Sequence, residues 1–179
     1  MKRFIALLRG INISGRNRIA MADLKPAVEE LGYENVVTHL NSGNVIFSSD
    51  EENETVLTEN IKMMLDRRFA MKIPVFVIGC DELESLLDKA PDWWGTADKN
   101  IYDNLIFVIP PAEVQELCKK IGAPTEGLEQ IQISGNAVFW SFDRQKYAKA
   151  NWWKRTAEAG IGEIFTIRTA NTLRKIVKM

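Results

Sequence analysis

An unbroken apolar run within residues 3–8 opens the chain and predicts a strand buried on both faces. A polar loop follows over 9–20. Beyond it Leu24, Ala27, Val28 and Leu31 recur at helical spacing, with Asp23 opening that helix, Pro26 in its first turn and Gly32 stopping it. Strands are predicted at 35–40 and 44–48, joined by a tight Asn41-Ser42-Gly43 turn. After an acidic loop at 50–54, Leu57, Ile61, Met64 and Leu65 mark one face of a longer helix, and Lys62, Asp66 and Arg67 mark the other. A strand at 74–78 closes a β-α-β-β-α-β unit.

The same order returns in the second half. Strands are predicted at 104–109, 128–133, 137–141 and 164–168, with helices at 112–121 and 146–158 and a last short helix bearing Leu173, Ile176 and Val177. Ser42-Gly43-Asn44-Val45-Ile46-Phe47-Ser48 and Ser134-Gly135-Asn136-Ala137-Val138-Phe139-Trp140-Ser141 repeat one turn-plus-strand near half the chain length. The fold class that follows is α+β, two ferredoxin-like (split β-α-β) subdomains from an internal duplication. The subdomains are placed at 1–80 and 104–179. Between them, 81–103 holds a linker helix with an Asp81-x-x-Glu84 capping box and a tryptophan-rich loop.

With 46% apolar and 26% charged residues, the 179-residue chain has the makings of an ordinary core and no membrane span. A net charge of −1 argues against a protein that coats nucleic acid wholesale. The charge is uneven, however. Lys2, Arg3, Arg9, Arg16 and Arg18 precede the first acid, Asp23, and four cations without an acid follow Glu163. Two cysteines, Cys80 and Cys118, form no metal or disulfide framework and are read as reduced, structural thiols of a cytoplasmic protein. Arg9 breaks the first apolar run too early for a secretory signal.

In a split β-α-β sheet the first and second strands run the same way, so the loop after the first and the turn after the second emerge together. Arg9, Asn12, Ser14, Arg16, Asn41, Ser42 and Asn44 should therefore meet as a cluster of polar donors, with Arg168 from the second half joining them. A helix start lies at the loop's far end. An exposed terminus contributes only about 0.3–1 kcal/mol to an anion, so the arginines must supply most of the affinity. The ligand expected is a small anion, phosphorylated or nucleotide-like. Tight turns also favour Asn, Ser and Gly for backbone reasons alone, and Pro110-Pro111 stands where the second half would carry its arginine loop.

Other chemistry is sparse. His39, the sole histidine, reads as a packed or surface imidazole, and no P-loop, dinucleotide fingerprint or metal-ligand spacing occurs, so no metal or cofactor is expected. Trp93-Trp94 and Trp152-Trp153 read first as packing residues sealing the subdomains together; stacking of bases beside Lys99 or Lys154 is their other use.

Arg9-Gly10-Ile11-Asn12, Met21-Ala22-Asp23-Leu24, Leu31-Gly32-Tyr33, Val37-Thr38-His39-Leu40 and Ser42-Gly43-Asn44-Val45-Ile46-Phe47 resemble the signature of a bacterial family catalogued as domain of unknown function sixteen ninety-seven. The resemblance spans nearly the whole chain. At the C-terminal signature, Thr-Arg-Asn-Trp-x-Thr, Arg168 and Thr172 fit, whereas Thr169 and Ala170 stand where Asn and Trp are expected. The resemblance implies two ferredoxin-like subdomains and no established activity. The favoured reading is a binding protein for a small anion. An RNA-binding module and an enzyme of unrecognised type are the alternatives, and the residues assign neither a reaction nor an oligomeric state.

Overall fold

The structure, a computed structural model, describes every residue except Ser14 and Ala159. The chain forms two compact units, Met1–Ser85 with Lys175–Met179, and Leu86–Arg174. The first contains β1 (Lys2–Leu8), α1 (Met21–Glu29), β2 (Glu34–His39), β3 (Asn44–Ser49), α2 (Glu54–Phe69) and β4 (Val75–Gly79), followed by α3 (Cys80–Leu87). Its sheet is antiparallel throughout, in the order β2-β3-β1-β4. The second unit repeats this with β5 (Ile101–Val108), α4 (Val114–Ile121), β6 (Glu129–Ser134), β7 (Ala137–Asp143), α5 (Asn151–Thr156) and β8 (Phe165–Thr169), in the order β6-β7-β5-β8. α6 (Ala170–Ile176) follows.

The apolar run of β1 is buried on both faces, as its pattern requires. Phe4, Ala6 and Leu8 join the core with Leu24, Ala27 and Val28 of α1 and Leu57, Ile61, Met64 and Leu65 of α2. Ile5 and Leu7, pointing the other way, are equally inaccessible. In the second unit Ile106, Val108, Val138, Trp140 and Phe142 pack with Val114, Leu117 and Ile121 of α4 and Trp152 of α5.

The repeat is real in topology but out of step in sequence. Leu8 N–H donates to Gly43 O at 2.8 Å and Val108 N–H to Asn136 O at 3.0 Å, so Gly43 corresponds to Asn136 and Asn44 to Ala137. The helix-facing pairs then agree, Val45 with Val138 and Phe47 with Trp140. A one-residue slip would turn them to the opposite face. The matching Ser-Gly-Asn triplets thus occupy different positions. The predicted tight turn at Asn41-Ser42-Gly43 is part of a four-residue bend between the paired His39 and Asn44, whereas Gly135 and Asn136 alone connect Ser134 to Ala137.

Several predicted boundaries move for local reasons. α1 begins at Met21, because Ala20 O accepts both Asp23 N–H and Leu24 N–H at 3.0 Å, and Pro26 therefore lies inside the helix rather than in its first turn. α3 begins at Cys80, which puts Asp81 in its first turn beside Lys2 at 3.5 Å rather than in a capping box. The helix expected at 146–158 is a 3-10 turn, Tyr147–Lys149, followed by α5, with extended backbone at Ala150 between them.

Glu54, in the first turn of α2, accepts from Gly79 N–H at 2.7 Å. Burial is the main force pushing its carboxyl above the ordinary value of 4.5; the Gly79 bond works against that push and the nearby Glu82 adds to it. A carboxyl held above its unfolded value stabilises the fold fully below pH 4.5, and that contribution is lost as the pH rises through its folded value. Glu54→Gln retains an acceptor for Gly79 without the charge. The variant should melt above the parent at neutral pH, with the gap closing below pH 4.5; thermal midpoints across that range check it, and a gap that widens in acid contradicts the sign.

Candidate functional site

β1 and β2 are each antiparallel to β3, so they run in the same direction and the segments leaving them share an edge of the N-terminal sheet. Asn12 joins those segments. Its Nδ2 donates to Asn41 O at 2.9 Å and to Ile19 O at 2.8 Å, while its Oδ1 accepts from Ile19 N–H at 2.9 Å. Asn12 N–H donates to Asn17 O at 3.1 Å, and Asn17 Nδ2 returns to Gly10 O at 3.0 Å. Both asparagines adopt left-handed backbone, φ 54° and 47°, which this side chain tolerates better than most. Leu40 does so as well, at φ 57°, with its side chain exposed. The loop is thereby closed on itself and fastened to the bend.

The predicted residues divide by role within that frame. Arg16, Asn41 and Ser42 are exposed, as is Arg18, and no carboxylate lies within ion-pair distance of either arginine among the described residues. Arg9 is half-buried at the root of the loop, where its N–H donates to Pro74 O at 2.9 Å and burial lowers its guanidinium below the usual arginine range. Asn12 is committed to the loop. Asn44 is fully buried, its Nδ2 donating to His39 O at 2.9 Å and Ser42 Oγ at 3.0 Å. Ser14 lies outside the described residues. Arg168 belongs to the C-terminal unit, on β8, buried, with Nη1 donating to Thr166 Oγ1 at 2.9 Å and Ile167 O at 2.8 Å.

The corresponding edge of the C-terminal unit reverses the arrangement. There the bend reaches out: Asn136 Nδ2 donates to Ala112 O at 3.1 Å, and its Oδ1 accepts from Val114 N–H at 2.8 Å, at the start of α4. An asparagine fastens loop to bend in both units, from opposite sides of the gap.

Cys80 is no activated thiol, since burial pushes it up despite its place at the start of α3. Trp94 and Trp152 are packing residues, with Trp94 against Phe139 at 5.0 Å and donating to Asn104 O at 2.6 Å, and Trp152 in the core of its unit. Among the described residues no helix is long and apolar enough to cross a membrane, and no cluster of three or more His, Cys, Asp or Glu could hold a metal ion. Two features escaped the sequence reading. One is Glu129, a buried carboxylate serving Thr125, Trp140, Asn151 and Trp152. The other is the recess that Tyr102, Phe142, Arg144 and Tyr147 complete around Trp153, where the sequence alone offers only the Trp152-Trp153 pair beside Lys154 as a base-stacking candidate.

A family model described as a protein of unknown function, DUF1697, matches residues 1–139. The solved structure of a conserved bacterial protein from Streptococcus pneumoniae is similar with a TM-score of 0.86 and 25% sequence identity, covering 99% of this chain and 97% of that one. No curated protein matches the sequence.

Proposed function

The chain belongs to the DUF1697 family, and from that premise we propose that its N-terminal unit binds a small anion, phosphorylated or nucleotide-like, where the loop after β1 meets the bend after β2. The observation that carries the reading is the Asn12 clamp, which holds an acid-free loop bearing Arg9, Arg16 and Arg18 against the exposed Asn41 and Ser42. The same loop leads into α1, whose N-cap residue Ala20 offers no side-chain acceptor to the first N–H groups of the helix. Arg9 sets a positive field at the root of the site, and Arg16 meets the ligand's charge directly. Ile13 and Leu40, both exposed on the joined segments, supply apolar contact for a ligand larger than phosphate alone.

Arg16→Ala should weaken saturable binding of a phosphorylated ligand by about 1.5 kcal/mol, roughly tenfold, the lower end for a hydrogen bond to a charged group. Since Arg16 is exposed, its thermal midpoint without ligand should stay at the parental value. Thermal shift and calorimetry against a panel of nucleotides and sugar phosphates provide the check. A midpoint indifferent to the whole panel would remove this reading.

A further inference from the structure

The C-terminal unit carries an open aromatic surface outside the site proposed above. Phe142, at the end of β7, lies 5.4 Å from the Tyr102 ring and 5.3 Å from Trp153, and Tyr147 meets Trp153 edge-on at 5.3 Å. The Arg144 guanidinium lies over the Tyr102 ring at 4.9 Å. These five side chains line a recess of about 350 Å³, within the range of small-ligand sites. Tyr147 and Trp153 remain 47% and 40% exposed, although rings of that size normally bury most of their surface. A second recess of about 430 Å³ shares Tyr102 and Arg144 with the first and is more polar than it, with Asp98, Lys99, Asp103 and Thr169 on its walls. The stacked guanidinium therefore stands between an apolar cup and a polar one.

Charge selects what the cup accepts. Residues 144–155 contain five cations and no acid. Lys146 and Arg155 pair with Asp143 and Glu158, whereas no carboxylate lies within ion-pair distance of Arg144, Lys149 or Lys154 among the described residues. Aromatic faces attract cations, but here one face is already taken by Arg144 and the surrounding field repels a second positive group. An uncharged polyproline segment would fit the rings and gain nothing from the lysines. A flat ring on a negatively charged backbone satisfies both features. We infer that this surface docks single-stranded nucleic acid, one base stacking on the face of Trp153 with its edge towards Tyr147 while the adjoining phosphate lies on Arg144. Lys149 and Lys154, exposed on the same acid-free stretch, supply further positive charge for the neighbouring phosphates. Such local docking of a short strand is compatible with a net charge of −1, because only a few phosphates are neutralised.

Fluorescence anisotropy with a labelled oligouridine of about ten nucleotides, at about 50 and 200 mM salt, tests the assignment. The full-length protein should bind, with affinity falling as salt rises. Trp153→Ala and Tyr147→Ala should each weaken binding by about 5- to 150-fold, and Trp153→Phe should restore most of it. Arg144→Ala should make the salt slope shallower by roughly 0.7, the share of one phosphate on a single strand. All three positions are exposed, and thermal midpoints near the parental value confirm that folding is retained. Trp153→Ala should leave the thermal shift given by sugar phosphates unchanged, which separates this surface from the N-terminal anion site. No binding at the lower salt, indifference to Trp153→Ala, displacement of the labelled strand by adenosine monophosphate as effective as by unlabelled strand, or occupation by a proline-rich peptide alone would each overturn the inference.

Discussion

Gly43→Ala should destabilise the N-terminal unit by about 3–4 kcal/mol, whereas Gly135→Ala, at the other copy of the same triplet, should cost about 1–2 kcal/mol. Both glycines have positive φ, 76° and 56°, so an L side chain is strained at either. Their surroundings separate them. A Cβ on Gly43 would stand 2.7 Å from Leu8 Cβ and 3.0 Å from Ile11 Cδ1, and Leu8 is fully buried at the end of β1. A Cβ on Gly135 meets nothing within 4 Å. The extra methyl at Gly43 must therefore push the bend away from β1, breaking the bond from Leu8 N–H to Gly43 O that joins the two halves of the candidate site. Urea unfolding gives the difference in stability, and hydrogen exchange at the Leu8 amide reports the break locally. Equal costs at the two positions would mean that the loop and bend are not held together.

Replacing Glu129 should be as damaging in the other unit, and the conservative change to glutamine should rescue little. Glu129 is 6% exposed and its two oxygens accept only from N–H groups. Oε1 receives Trp140 Nε1 at 3.2 Å and Trp152 N–H at 3.0 Å; Oε2 receives Thr125 N–H and Asn151 N–H, both at 2.8 Å, with Trp152 N–H at 3.2 Å. The Asn151 and Trp152 donors are the first of α5, where a negative charge is favoured by the helix end. A glutamine in either flip points its own NH₂ at two or more of these donors. At about 1–3 kcal/mol for each buried donor left without an acceptor, Glu129→Gln should cost about 3–5 kcal/mol, and Glu129→Ala at least as much. Chemical unfolding followed by tryptophan emission reads the loss, since Trp140 and Trp152 flank the carboxylate. A glutamine variant with the parental midpoint would show that charge plays no part in holding α5.

How legible the site was depended on the kind of interaction. That loop and bend share an edge followed from strand order, and Asn12 and Asn41 do bond to each other there. Which members of the cluster would face solvent did not follow. Asn12 and Asn44 looked like ligand donors because their amides are polar, and both are bonded within the backbone of the site instead. Arg168 suited an anion by its charge, yet it is buried on β8. Glu129 gave no local signal, since its donors come from segments 4 to 23 residues away.

The sequence by itself determined the α+β class, the order of the elements, the doubly buried first strand and the main core faces, because each is written in a periodicity of 2 or 3.6 residues. It also displayed the duplication, but not its register. Only the tertiary structure decided that Gly43 corresponds to Asn136, since register depends on which face of β3 and β7 meets the helices. It alone decided which polar side chains remain exposed and that Tyr102, Arg144 and Trp153 line one recess. Such juxtapositions arise from the packing of distant segments, and no local pattern of residues encodes them.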